Sequence, residues 1–231
     1  MSTKTTAHFS PALFRFLGEL AENNDREWFT ANQHRYEAEL REPALRFIMD
    51  FAPRLERIST HFRADPRKSG GSLFRIHRDV RFSTDKSPYK THTGIQFRHA
   101  LGKDAHTPGF YLHLGPDSCF VGAGIWRPDG PTLKAIREAI VEDQGGWKAA
   151  VGGRAFRRAF EREGEKLSRV PRGFDPAHPL AEELRWKDHI AVARLSDEEV
   201  TAPRFLDDFT ARCRASVPYV SWLCAATGVP F

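Results

Sequence analysis

The densest chemistry in the sequence lies in one stretch, Arg75-Ile76-His77-Arg78-Asp79-Val80-Arg81-Phe82-Ser83-Thr84-Asp85-Lys86-Ser87-Pro88-Tyr89-Lys90. Arg75, Arg78, Arg81, Lys86 and Lys90 share it with two carboxylates, Asp79 and Asp85. Guanidinium groups present planar forks matched to carboxylate or phosphate, and each charge-assisted hydrogen bond they make is worth ~1.5–3 kcal/mol. Two aspartates can orient two forks, which leaves cations over for a ligand, so the spacing points to an anion site. Ser83 and Thr84 can cap a turn or donate to the anion, and Ser87-Pro88 fixes the loop backbone. The rival reading is a structural lock, which predicts every cation matched by its own acid.

The charge balance bears on the kind of anion. Across 231 residues, 35 Lys+Arg face 30 Asp+Glu for a net +5. Between Arg67 and Lys103, however, nine Lys/Arg stand against two Asp, so this segment carries +7 and the remainder −2. The pI of 9.3 therefore reports one segment. A confined excess favours an anionic small molecule over nucleic acid, which needs a wide positive stripe. In the nucleic-acid reading, Phe82 and Tyr89 would stack bases while the cations meet phosphates.

Histidines crowd the same region, with His77, His92, His99, His106 and His113 close in sequence. With Asp79 and Asp85 they resemble an imidazole–carboxylate metal set, but the spacing is irregular and so many cations repel a divalent ion, so no metal is assigned. Gly122-Ala123-Gly124 has Arg127 where a dinucleotide fingerprint needs its third glycine. P-loop, GxSxG and HExxH patterns are missing from the sequence, and no cofactor is identified.

These side chains need elements to position them. Ser10-Pro11 starts a helix with Leu13, Phe16, Leu17 and Leu20 on one face. Asn24, three residues before Glu27, is expected to cap a second, with Trp28, Phe29, Asn32, Tyr36 and Leu40 as its stripe. Pro43 is expected to start a third, with Leu45, Ile48, Ala52, Leu55 and Ile58 inward and a kink at Pro53. From Phe74 the period changes to two. Strands are expected near 74–78, 91–98, 110–114, 119–126 and 189–195, with a turn at Gly115-Pro116-Asp117-Ser118. Helices are expected over 133–140, 147–160, 177–187 and 203–226. Arg154, Arg157, Arg158 and Arg162, set among Glu161, Glu163 and Glu165, suggest an exposed, ion-paired helix. Alternation places Arg75, His77, His92, Gln96, Tyr111 and His113 on the open polar face of a sheet whose other face takes the helices.

The Arg75–Lys90 segment resembles the signature of the DUF2461 family. Further blocks agree: Asn23-Asn24-Asp25-Arg26-Glu27-Trp28-Phe29, Gly109-Phe110-Tyr111-Leu112, Gly122-Ala123-Gly124 followed by Trp126 and Pro128, and Pro171-Arg172-Gly173-Phe174 with His178-Pro179. The resemblance runs from about Phe9 to Phe209 and implies one domain throughout. No activity is established for that family, so it assigns no catalytic residue. His77 stands where the family pattern more often carries Tyr or Asn.

Together these readings predict an α+β protein: an antiparallel sheet from the middle of the chain, with N- and C-terminal helices packed on its apolar face. Residues 1–8 are expected to be a disordered tail and 9–231 a single domain. Arg75, Arg78, Arg81, Lys86, Lys90 and Tyr111 are the ligand-binding candidates, and His92, His113 or Asp85 the groups that would move protons. No apolar run reaches the ~18 residues of a membrane span. The amino-terminal stretch lacks a secretory pattern, and Cys119, Cys213 and Cys224 form no CxxC, so a cytoplasmic setting is expected.

Overall fold

In a computed structural model, residues 7–102 and 107–231 are described. Residues 1–6 of the expected tail, Lys103 and His106 lie outside them. His8, expected in the tail, is buried and meets Asp50 at 2.8 Å.

Helix α1 (Pro11–Glu22) buries Leu13, Phe16, Leu17 and Leu20, as its period requires. Asp25, not Asn24, caps α2 (Arg26–Ala31), its carboxylate accepting the Trp28 N–H at 2.9 Å. A single turn, α3 (Gln33–Arg35), a π-helical stretch (Tyr36–Arg41) and α4 (Glu42–Glu56) then follow without a break. Pro43 thus sits inside a helical run already under way. The inward stripe of α4 is Ala44, Phe47, Ile48, Phe51 and Leu55, not the face through Leu45 and Ala52, because two phenylalanines bury far more apolar area.

Strands β1 (Thr93–Arg98), β2 (Gly109–Leu114) and β3 (Cys119–Ile125) form a meander. Helices α5 (Gly130–Glu142), α6 (Gln144–Gly152) and α7 (Arg154–Ala159) follow, then β4 (Glu161–Glu163), α8 (Ala181–Leu184), β5 (His189–Leu195), α9 (Asp197–Thr201), α10 (Phe205–Ala215) and α11 (Val217–Ala226). The sheet order is β1-β2-β3-β5-β4, and every pairing is antiparallel. Ile95, Phe97, Phe110, Leu112, Leu114, Val121 and Ala193 face the core. There Phe51 of α4 lies 4.6 Å from Phe97 and 4.8 Å from Phe209 of α10, so helices from both ends of the chain close on one sheet face. No helix among the described residues is long and apolar enough to cross a membrane.

Three further expectations are corrected. Residues 74–78 are not a regular strand. Only Leu73 bridges Ile95, after which the chain turns away so that His77 bridges Tyr89. The helix expected over 147–160 breaks at Gly152-Gly153 and ends in β4, so the arginine-rich stretch is no ion-paired helix; Arg162 pairs with Glu183 at 2.5 Å and Arg194 with Glu163 at 2.6 Å. The terminal helix is two helices divided at Ser216, where Pro218 lacks the N–H needed to continue.

Candidate functional site

The basic loop is held at its neck. The Arg78 N–H donates to the Pro88 carbonyl at 2.9 Å and the Lys90 N–H to the Ile76 carbonyl at 2.8 Å. Asn24 meets both backbone groups of Tyr89, donating from Nδ2 to its carbonyl and accepting its N–H, each at 3.0 Å. The Tyr89 ring stacks on Phe29 at 4.1 Å. A side-chain amide thus pairs with the neck as a neighbouring strand would. Asn24→Ala is expected to destabilise the protein by about 1–3 kcal/mol, because both Tyr89 groups lose their partner. Urea unfolding measures this, and a loss under about 0.5 kcal/mol would contradict it. The signal in the sequence was two capping-type residues in a row, Asn24 and Asp25, of which one N-terminus uses one.

Two of the five cations are matched by acids inside the loop. The Arg81 guanidinium forks onto Asp79, Nε to Oδ1 at 2.9 Å and Nη2 to Oδ2 at 2.6 Å. Arg78 pairs with Asp85, which also accepts the Ser87 N–H at 2.9 Å and its hydroxyl at 2.5 Å. The Arg81 hydrogen bond lowers Asp79 to about 2, and Ser87 first, then Arg78, hold Asp85 far below the carboxylate range. Asp85 therefore stays ionised and orients Arg78, which makes it a poor mover of protons. Lys86 Nζ donates to the Val80 carbonyl at 3.0 Å.

Arg75 and Lys90 differ, for neither meets a carboxylate among the described residues. Lys90 is half-buried, its ammonium 5.5 Å over the Phe74 ring. Burial first and the nearby charge of Arg75 second push its pKa below that of an ordinary lysine. The loop thus leaves three of its five cations, Arg75, Lys86 and Lys90, without an ion pair among the described residues.

On the open face, the register aligns Gly94, His113, Phe120 and Arg194 in one row across four strands. His92 lays its ring on His113 at 4.5 Å, His113 stacks on Phe120 at 4.7 Å, and the Arg194 guanidinium stands 5.7 Å over Phe120. In the next row, the Tyr111 hydroxyl lies 3.3 Å from His113 Nδ1. Its phenol crosses Gly94, where a Cβ would come within 2.4 Å of the hydroxyl, so only glycine leaves room for it.

Burial raises Tyr111 to about 12 and lowers His113 to about 4, with the charges of His92 and Arg194 adding to the second effect. His92 is lowered by burial, then by Lys90 and Arg78. At neutral pH both imidazoles are thus uncharged. The Tyr111 hydroxyl can donate to His113 Nδ1, which leaves the proton of that ring on Nε2. Neutral imidazoles beside cations that meet no carboxylate offer hydrogen bonds and charge to an anion, while the shifts of Tyr111 and His113 keep the proton of that pair on the phenol at neutral pH.

Other expected members are elsewhere. His77 packs against Phe29 and Tyr89, at 6.2 and 5.2 Å, and leaves the patch. Tyr89 is 5% exposed, so it cannot stack a base. His99 Nε2 bonds the Pro230 carbonyl at 2.8 Å. No group of three His, Cys, Asp or Glu side chains among the described residues is arranged to hold a metal ion. Phe120 and Arg194 are additions. Alternation in β5 sets Arg194 opposite Ala191 and Ala193, but the pairing of β5 with β3 spans too much chain to be read locally. Beyond Arg194 a separate hollow of about 730 Å³ opens between α7 and α10, lined also by Arg154, Arg158 and Arg212.

A helix-backed antiparallel sheet whose open face carries His113, with His92 stacked on it, defines an α+β protein. The chain belongs to the family described as "Conserved hypothetical protein (DUF2461)", whose model matches residues 12–222. No curated protein and no solved structure matches the chain.

Proposed function

We propose that the protein binds a small anionic ligand, phosphorylated or carboxylated, between Lys90 and Arg75 on one side and the edges of His92 and His113 on the other. The observation that carries this reading is Lys90, a half-buried ammonium with no carboxylate among the described residues. A buried charge is costly unless paired, and a ligand anion supplies the missing partner. Arg78, held by Asp85, backs the site, and Tyr111 fixes the orientation of His113. Arg81 and Lys86 are engaged within the loop and meet a ligand only when the loop rearranges. Three buried free thiols fit a reducing compartment such as the cytoplasm.

Thermal-shift screening against inorganic phosphate, pyrophosphate and citrate tests the proposal. At least one is expected to raise Tm by several degrees, since a ligand at a hundredfold excess over Kd adds about 2.7 kcal/mol. The rise is expected to fall to about half or less in Lys90→Met and to persist in full in Arg158→Ala, which alters the hollow beyond Arg194. A rise undiminished in Lys90→Met would place the anion elsewhere, and no rise with any of the three would count against the proposal. Nucleic acid remains a second reading on one observation: Phe82, 96% exposed at the loop tip, lies beside Arg81, whose guanidinium is 5.9 Å from its ring. That reading requires an affinity for single strands that falls steeply with salt and is lost in Phe82→Ala.

A further inference from the structure

Where β5 begins, the interior carries polar atoms that no group among the described residues answers. Trp147 of α6 and His189 of β5 are each 1% exposed and Tyr219 of α11 is fully buried. Trp147 Nε1, His189 Nε2 and the Tyr219 hydroxyl nevertheless lack a hydrogen-bond partner among the described residues. Their rings adjoin, His189 at 5.8 Å and Tyr219 at 6.0 Å from Trp147. Trp186 Nε1 is in the same condition, and the Arg162 guanidinium stands 5.4 Å from the Trp147 ring and 5.5 Å from that of Trp186. Six such atoms occur among the described residues, and four of them belong to this neighbourhood.

The charged groups beside them are already answered. Arg162 forks onto Glu183 at 2.5 and 2.7 Å, and Arg137 donates to the Leu184 and Trp186 carbonyls at 2.8 and 3.0 Å. What remains is an uncharged set: an indole N–H that can only donate, an imidazole nitrogen that can accept, and a hydroxyl that can do either. Leaving three such groups unanswered in one place would cost a large share of ordinary folding stability. The backbone is shaped to the same spot. Gly124 has a φ of +117°, and a Cβ there would come within 2.0 Å of the His189 carbonyl and 3.1 Å of the Tyr219 ring. Only glycine lets β3 close on this site.

We propose that Trp147, His189 and Tyr219 form a binding site for an internal water molecule that ties β5 to α6 and α11. A buried water makes about three hydrogen bonds, which is the number these side chains offer. A crystal structure at a resolution that orders solvent, combined with the variant Tyr219→Phe, tests this. The expected result is a water oxygen within hydrogen-bond distance of at least two of the three atoms, and a fall in Tm of about 2–5 °C in the variant. The sign of the shift is informative, because removing a hydroxyl that bonds nothing leaves stability unchanged or raises it. Such a result, or a crystal in which these atoms bond protein groups instead, would overturn the proposal. Should Tyr219→Phe not fold, the native crystal decides alone.

Discussion

Lowering the pH from 7.5 to 5 is expected to reduce the unfolding free energy by about 2–4 kcal/mol. The effect comes from histidines that the fold keeps neutral. His189 is pushed down to about 3 by burial first, then by the charges of Arg162 and Arg137, and His113 is pushed down to about 4. In the unfolded chain both titrate near 6.5. Below that value the unfolded state takes up protons that the native state refuses, so the equilibrium moves toward unfolding. The stability is fully present above about pH 6.5 and is lost as pH falls through the folded values. At pH 5 a fully buried histidine of this kind has lost about 2 kcal/mol, and His113, partly open to solvent, loses less. Urea unfolding at the two pH values measures the difference. Equal stability at both would show that the imidazoles titrate normally and are not desolvated.

Lys90→Met is expected to leave the unliganded protein as stable as before, or more stable by about 0.5–1 kcal/mol, while weakening anion binding at least about tenfold. Methionine preserves the length of the side chain and its contact with Phe74, and sulfur packs well against an aromatic ring. What disappears is a half-buried charge that Arg75 repels. A residue kept at some cost to stability is the mark of a site whose partner arrives from outside. If Lys90→Met instead destabilised the protein by more than about 1 kcal/mol with binding intact, the ammonium would belong to the scaffold.

Much of this arrangement was legible in the residues. Alternation in 93–98, 110–114 and 189–195 showed both the strands and their faces, because a half-buried sheet imposes a period of two. The same alternation put Tyr111 and His113 together on the open face. The segment around Arg75 was harder. Its alternation is that of a strand, yet it pairs only through isolated bridges and then docks on α2 and the turn before it, since Phe29 of the helix and Asn24 of the turn compete for Tyr89 from far away in sequence. That contact also carried His77 out of the patch and buried Tyr89. Charge counting showed an excess of cations without saying which would be left over. The local geometry decides that: Asp79 lies two residues from Arg81, and Asp85 folds back on Arg78, while Lys90 and Arg75 form no ion pair with either, although the charge of Arg75 is still felt at Asp79. Arg194 entered the site through β3–β5 pairing, a contact that no short stretch of sequence encodes.

The most direct test is isothermal titration of pyrophosphate into the native protein and into Lys90→Met at pH 7. Saturable binding to the native chain at one site, weakened at least about tenfold in the variant, is the expected result. Equal affinity for the two proteins, or no heat from either, would contradict an anion site built on Lys90.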